Sequence, residues 1–154
     1  MSSEKELKID KIKSGTVIDH LPAGSGPTVL RILGIDSKWG TSVSVAMNVS
    51  SKSGKKDIVK VEDRILQKEE TDKLGLIANN ATINIVENYN VKEKHHVSPS
   101  EEMIGVLECK NPKCVTNQGE PVVTNFKVES ANPLTLRCKY CERIMEKELL
   151  EEQL

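Results

Sequence analysis

The first hundred residues alternate short apolar runs with turn-forming residues, a pattern typical of a domain built from short strands and helices. From 42 to 49 an apolar side chain stands at every second position, which predicts a strand buried on one face. The residues at 51–54 suit a hairpin turn, and a second strand is expected at 56–62. Shorter apolar runs predict further strands over 15–20, 81–88 and 89–96.

Two segments between these strands carry helical signals. Pro27 suits the first turn of a helix that continues through Leu30, and Gly34 stands where a helix C-terminus favours glycine. A second helix is expected over 67–78, with its apolar side chains on one side. The resulting order is β-α-β-β-α-β, the split βαβ arrangement of a ferredoxin-like α+β domain with an antiparallel sheet, which the strand at 89–96 extends. Because such domains serve many functions, the fold alone identifies none.

The pattern changes at 97–101, a short polar stretch in which Pro99 favours an extended connection. We therefore divide the chain into a first domain at 1–97, a linker at 98–103 and a small β-rich second domain at 104–154. The second domain has strand-like runs at 104–108, 121–128 and 134–137, and 144–150 fits either a strand or a helix. A domain of this size gains only marginal stability from a hydrophobic core, so it needs another source of stability.

Composition limits what the chain can bind. Its 154 residues include 22 Lys+Arg and 23 Asp+Glu, and a net charge of -1 predicts no strong attraction to nucleic acid or anionic membrane. Its aromatic content of 3% is too low for proteins that stack successive bases. No apolar run reaches the ~18 residues that a membrane helix needs, and the charged start does not resemble a signal peptide. We expect a cytoplasmic protein that binds neither nucleic acid nor membrane.

All cysteines lie in the second domain as two short pairs, Cys109 with Cys114 and then, after 23 residues, Cys138 with Cys141. Two such pairs in a β-rich stretch are typical of a tetrahedral site with four thiolate ligands. We expect one structural Zn²⁺, because four protein ligands leave no open position for catalysis and metal binding supplies folding free energy. Four ordinary buried cysteines, a redox Cys-x2-Cys pair and a rubredoxin-type iron site are weaker alternatives.

Basic side chains cluster beside these cysteines. We expect them to offset the negative charge of four thiolates around one divalent cation: Lys110, Lys113, Arg137, Lys139 and Arg143. The same cluster favours an alternative function, a zinc-ribbon nucleic-acid-binding accessory factor. The acidic C-terminal residues and the scarcity of aromatic residues count against that alternative.

Lysines on two predicted strands are candidate anion ligands. Lys56 and Lys60 stand four residues apart on one strand and so share a face, and Lys92 and Lys94 do the same on another. Lysines that converge from two strands would form a phosphate clamp, although lysine pairs on a sheet face are usually solvated.

Other polar residues of the first domain are weaker candidates. Asn84 lies between two isoleucines, where it either reads a base edge or faces water. Asp19 and His20 end the first strand, where a surface pair is the commoner outcome. No Ser-His-Asp or Cys-His set is arranged for nucleophilic catalysis, so the sequence offers no active site.

Four strings of the sequence occur together with this cysteine spacing in one protein family. They are KSGTVIDHLPA at 13–23, KDIVKVE at 56–62, NYNV at 88–91 and CKYCE at 138–142. Together they resemble the regulatory chain of aspartate carbamoyltransferase, and the similarity covers nearly the whole chain. The GTVIDH string combined with the zinc spacing makes the resemblance specific.

The resemblance implies a regulatory subunit of pyrimidine biosynthesis that is not itself an enzyme. Its first domain would bind nucleoside triphosphates, CTP and ATP with UTP as a third candidate, and would pair with a second copy as a homodimer. Its zinc domain would dock on the catalytic chain in a hetero-oligomer. A bound effector would then shift a two-state equilibrium of the assembly through the linker and the zinc domain.

The resemblance also implies a set of nucleotide-binding residues, carried over by position. The base and ribose would be lined by Ile12 and Val17, with Asp19 at the ribose, Lys60 reaching both groups, and Tyr89 and Val91 flanking the base. The triphosphate would lie beside Asn84 and meet His20 and Lys94.

Overall fold

A computed structural model describes residues 12–52, 54–98, 100–131, 133–146 and 153. The chain forms two compact units, Met1–Ser98 and Pro99–Leu154, and each unit has a sheet of its own. The strand pairings are antiparallel in both sheets, so the predicted α+β class is confirmed. Within the described ranges, no helix has the length and apolar character needed to cross a membrane.

The first unit follows the predicted β-α-β-β-α-β order and adds a fifth strand. Its sheet has the order β2-β3-β1-β4-β5, which is the ferredoxin-like arrangement extended at one edge. The elements are β1 (Gly15–Pro22), α1 (Gly26–Ile32), β2 (Val43–Ser51), β3 (Gly54–Glu62), α2 (Lys68–Ile77), β4 (Thr82–Glu87) and β5 (Asn90–His96).

Both helices begin and end where the sequence favours it. Proline stands in the first turn of α1, and Gly34, with a φ of +70°, follows its last turn. A capping box starts α2, because the side chains of Gln67 and Glu70 each accept a hydrogen bond from the other's backbone N–H. The helices therefore form close to the predicted bounds.

The buried Asp57 fixes α1 and the edge strand β2 to β3. Its carboxylate accepts hydrogen bonds from the Gly26 N–H at the start of α1, at 2.8 Å, and from the Asn48 N–H in β2, at 2.9 Å. Asn48 has a φ of 58° and lies where the β2–β3 register shifts. Because a buried carboxylate needs donors, Asp57 holds this bulge and the helix in place. The core on this side of the sheet includes Ile18, Val29, Val59, Val61 and Leu74.

The second unit is a sheet with the order β6-β7-β8-β9. Its strands are β6 (Glu102–Ile104), β7 (Asn125–Ala131), β8 (Leu134–Cys138) and β9 (Ile144–Glu146), and a short 3-10 helix spans Val115–Asn117. Its core contains Met103, Leu107, Phe126, Leu136 and Met145 together with the cysteines. The strand predicted at 134–137 is confirmed. Only the start of 144–150 forms a strand, and 147–150 lie outside the described residues.

Two predicted strands of the second unit are wrong in their bounds. The strand expected at 104–108 ends at Ile104, because Gly105 adopts a φ of +69° and turns the chain. The strand expected at 121–128 begins only at Asn125, after a tight turn in which the Val122 N–H donates to the Glu120 carbonyl. Strand β6 itself starts at 102, inside the range predicted as linker.

Candidate functional site

A row of side chains crosses four strands on the sheet face opposite the core. Val17 in β1 lies opposite Lys60 in β3 and opposite Asn84 in β4, and Asn84 in turn lies opposite Lys94 in β5. Directly opposed residues of antiparallel strands point to the same face, with Cβ atoms about 5 Å apart. The sheet therefore brings together four residues that are far apart in the sequence.

A bulge in β1 places two consecutive polar residues on one side of this row, farther along the strand. The β1–β3 register shifts between Ile18 and Leu21, and His20 has a left-handed φ of 58°. The His20 N–H donates to Asp19 Oδ1 at 2.6 Å, and His20 Nδ1 lies 3.3 Å from the Thr82 hydroxyl. Since Asp19 lies opposite Thr82, both side chains reach the same end of the sheet. The sequence predicted Asp19 and His20 but gave no signal for Thr82.

The candidate lysines Lys56 and Lys92 lie close to carboxylates. Lys56 Nζ lies 2.9 Å from Asp19 Oδ1, and Lys92 Nζ lies 2.9 Å from Glu87 Oε2. The hydrogen bond to Glu87 and the charge of that carboxylate raise the pKa of Lys92. The other two candidate lysines are the ones in the cross-strand row.

On the other side of the row, toward the start of β1, the open face is apolar. Ile12 is buried there, whereas the side chains of Tyr89 and Val91 are exposed at 61% and 60%. The Tyr89 N–H donates to the Lys13 carbonyl at 2.9 Å, which ties the β4–β5 turn to the segment before β1. A strand rises about 3.3 Å per residue, so a ligand that follows β1 from this end to the bulge would span roughly 13 Å.

The bulge end is the basic end. A hollow of about 390 Å³ opens beside His20, and its walls include Lys55, Lys56 and Asn80. Basic side chains around a hollow raise the local concentration of anions. The open face thus has an apolar end and a cationic end, and the polar row lies between them.

The four cysteines meet in the second unit. Their Sγ atoms all lie within 4.8 Å of one another, with 3.6 Å between Cys109 and Cys141 and 3.7 Å between Cys114 and Cys138. Disulfide sulfurs would be about 2 Å apart, and all four thiols are free. Zinc–sulfur bonds of about 2.3 Å place the corners of a tetrahedral site roughly 3.8 Å apart, so this set fits a tetrahedral cation.

Asn117 holds the first cysteine turn closed. Its Nδ2 donates to the carbonyl oxygens of Cys109 and Asn111, both at 2.8 Å. The Cys114 N–H donates to the same Asn111 carbonyl at 3.0 Å. Cys109 and Cys114 are thereby positioned by side-chain and backbone bonds together. The sequence prediction missed Asn117, whose only signal is its place three residues after a cysteine.

The second cysteine turn continues from β8. The Cys138 N–H donates to the Arg143 carbonyl at 3.0 Å, and the Glu142 N–H donates to the Cys138 carbonyl at 2.9 Å. Glu142 has a φ of 63°, which lets the chain reverse directly after Cys141. Cys138 also lies opposite the buried Phe126 of β7, so the turn is anchored in the core.

The protein environment treats the four thiols differently. Burial raises the pKa of Cys109 to about 12 and also raises that of Cys138. Burial opposes the ionisation of Cys141 as well, but hydrogen bonds from the Arg143 N–H and the Asn111 side chain outweigh it and lower the pKa to about 7. A bound cation would favour the thiolate form of all four, because a coordinating thiol is deprotonated.

Among the basic residues near the cysteines, Arg137 and Lys139 are paired with carboxylates. Arg137 Nε lies 2.6 Å from Glu129 Oε1, and Lys139 Nζ lies 2.6 Å from Glu102 Oε1. The Lys139 hydrogen bond and charge lower the pKa of Glu102. The cluster is therefore less cationic than the sequence predicted, which weakens the argument for nucleic-acid binding.

Comparison with known proteins places both units in one family. Residues 7–98 match the model described as "Aspartate carbamoyltransferase regulatory chain, allosteric domain", and residues 101–151 match that chain's "metal binding domain". The chain belongs to the aspartate carbamoyltransferase regulatory chain family. A regulatory chain from Pyrococcus horikoshii is 54% identical over 145 residues, which are 93% of this chain and 95% of that protein. One from Methanothrix thermoacetophila is 51% identical over 149 residues, 96% and 97% of the two chains.

Membership confirms the predicted family and the non-catalytic role. A regulatory chain accompanies the catalytic chain of aspartate carbamoyltransferase, an enzyme of pyrimidine biosynthesis, so the zinc-ribbon nucleic-acid factor is set aside. The open-face row lies in the part that matches the allosteric domain, and the four cysteines lie in the part that matches the metal binding domain.

Replacement of Asn117 by alanine removes both hydrogen bonds that close the first cysteine turn. We expect the free energy of unfolding of the second unit to fall by about 1–2 kcal/mol, since each net hydrogen bond contributes about 1 kcal/mol. Hydrogen exchange of the β8 amides measures this loss. Glu120→Ala, an exposed change in the same loop, is the control, and equal protection in both variants would contradict the role assigned to Asn117.

Proposed function

We propose that the first unit of this regulatory chain binds a nucleoside triphosphate on its open sheet face, and that the bound nucleotide controls the catalytic chains. CTP and ATP are the expected effectors, with UTP as a third candidate. The observation that carries the proposal is the row of Lys60, Val17, Asn84 and Lys94, which crosses the strands between an apolar end and a basic end of the open face. A nucleoside triphosphate has the same arrangement, with a flat base at one end and anionic phosphates at the other.

The nucleotide lies along β1 and crosses the row, with its base at the apolar end of the open face. Ile12, Val17, Tyr89 and Val91 form the walls around the base and ribose, whose polar atoms meet Lys60 and Asp19. Lys56 holds the Asp19 carboxylate at 2.9 Å, so its orientation is set before the ribose arrives. Asn84, His20 and Lys94 take the triphosphate, for which charge-assisted hydrogen bonds are the strongest contacts available.

The second unit holds one structural Zn²⁺ through Cys109, Cys114, Cys138 and Cys141. When bound, the ion would offset part of the negative charge of the thiolates and link the two cysteine turns, and a closed set of four protein ligands leaves no position for catalysis. Zinc binding at such sites contributes about 10–16 kcal/mol in small zinc peptides, which far exceeds what a small core provides. Ligand thiols must stay reduced, which favours a cytoplasmic location.

The exposed side chains of the two cysteine turns form the surface that docks on the catalytic chain. Lys110, Lys113 and Arg143 are exposed there, and Tyr140 is 44% exposed. Basic side chains suit an acidic partner surface through charge complementarity, and an aromatic side chain adds contact area at a low cost in conformational entropy. Because zinc stabilises the turns that carry this surface, assembly of the enzyme depends on zinc binding.

A homodimer forms through strand β2. The sheet has two edge strands, and β5 exposes the charged residues Lys92, Glu93 and Lys94, which disfavour strand pairing. Edge strand β2 instead carries Val43, Val45, Met47 and Val49, with Met47 exposed at 45%. Pairing of two β2 edges would join two sheets into one.

Control of the catalytic chains is a coupling between distant sites. A nucleotide that binds one state of the assembly better shifts the equilibrium toward that state, and couplings of about 1–3 kcal/mol are typical. By linkage, substrate binding at the catalytic chains changes the nucleotide affinity by the same factor.

Lys60→Ala and Lys94→Ala should each weaken nucleotide binding about tenfold or more, because each removes a charged hydrogen-bond donor. Isothermal titration with CTP and with ATP measures the affinity. Lys92→Ala is the matched control, since Lys92 lies on the same strand as Lys94 but pairs with Glu87. Unchanged affinity in both row variants would rule out this site.

Cys138→Ser should abolish metal binding, unfold the second unit and prevent association with catalytic chains. The first unit, which has its own core, should stay folded. Metal analysis, amide NMR spectra and co-purification with catalytic chains report these effects. A chain that lacks metal and still assembles would refute the structural role of zinc.

Met47→Lys should shift the dimer toward monomer, because it places a charge on the proposed pairing edge. Val91→Lys on the opposite edge is the control and should leave the dimer intact when measured without nucleotide. Sedimentation equilibrium distinguishes the species, and the reverse result would move the interface to β5.

A further inference from the structure

The sulfur of Cys114 receives hydrogen bonds from a residue outside the four proposed metal ligands. The Thr116 hydroxyl donates to Cys114 Sγ at 3.2 Å, and the Thr116 backbone N–H donates to the same sulfur. Cys114 is buried at 2% exposure and precedes the 3-10 helix of Val115–Asn117, so this short helix presents both donors to the sulfur.

A hydrogen bond from a hydroxyl to a thiolate has two physical effects. It fixes the direction of the sulfur, and it spreads negative charge away from a centre in which four thiolates and one divalent cation carry a net charge of about -2. Hydrogen bonds in a buried, weakly polar setting are stronger than in water, so the loss of a donor is costly. Groups that orient metal ligands in this way commonly change metal affinity by about 10–100-fold when removed.

We propose that the Thr116 hydroxyl is a positioning group of the metal centre, which holds the Cys114 sulfur toward the ion and slows metal release. The inference rests on the proposed Zn²⁺ site and adds a residue outside its four ligands. Thr116 is half-buried and Cys114 is buried, so water has little access to the sulfur and competes little with the Thr116 hydroxyl.

The methyl group of Thr116 offers a different explanation for any effect of substitution, namely packing. Valine keeps the shape of threonine but has no hydroxyl, whereas serine keeps the hydroxyl but has no methyl group. The two explanations therefore predict opposite results for Thr116→Val and Thr116→Ser, and Thr116→Ala removes both groups.

The experiment measures zinc transfer from the full-length chain to a chromogenic chelator, after metal analysis has established that the wild-type chain holds one zinc ion. We expect Thr116→Val and Thr116→Ala to release zinc about tenfold faster, and Thr116→Ser to release it within about twofold of wild type. Thr135→Val, on strand β8 of the same unit, is the matched control and should leave the rate unchanged.

Cobalt(II)-loaded chains give a second readout that packing would not move. The sulfur-to-cobalt charge-transfer band should shift in Thr116→Val and keep its wild-type position in Thr116→Ser, because the hydrogen bond changes the electron density on the sulfur. A Val variant that fails to retain metal while the Ser variant retains it also supports the hydroxyl.

Wild-type release rates in Thr116→Val, or rapid release in Thr116→Ser, would overturn the inference and leave the zinc site standing. A wild-type chain without bound zinc would instead overturn the proposed metal centre. The two failures are therefore distinguishable.

Discussion

The second unit depends on the charge balance of its four clustered sulfurs. Their Sγ atoms lie within 4.8 Å of one another, which is too close for four uncompensated thiolates. A divalent cation would resolve this conflict and would join the two turns, which hydrogen bonds of Asn117, Asn111 and the end of β8 also support. The basic residues contribute less than their number suggests, because Arg137 and Lys139 are paired with carboxylates. The surface proposed to dock on the catalytic chain would thus be built on a metal ion.

In the first unit, one face of the sheet packs against the helices and stabilises the fold, and the other face is open for binding. Alternate residues of β1 and β3 point to the helices and are buried, and Asp57 on that side fixes α1 and the β2 bulge. The intervening residues form the row on the open face. Bulges matter here because they break the alternation, as His20 does beside Asp19. A ligand can therefore be recognised without disturbing the core.

The sequence predicted most of the fold, because alternation at 42–49 and the turn residues at 51–54 fix strands and hairpins locally. It misplaced the strand at 104–108, since the apolar Leu107 fills the core from a loop and periodicity cannot distinguish that loop from a strand. The spacing of the cysteines predicted the metal ligands, and the family resemblance supplied the nucleotide-binding residues. Thr82, Asn117 and Thr116 were missed because their roles depend on contacts across a bulge or a turn, which no local pattern reveals.

We have proposed that a nucleotide on the open face of the first unit controls catalytic chains held by the second. The aspartate saturation curve of catalytic chains assembled with this chain, recorded with and without saturating CTP or ATP, tests this control directly. We expect at least one nucleotide to shift the half-saturating aspartate concentration of the assembly by about fivefold or more, and to leave that of the catalytic chains alone unchanged. A chain that binds the nucleotides and assembles, yet leaves the curve unchanged, would contradict it.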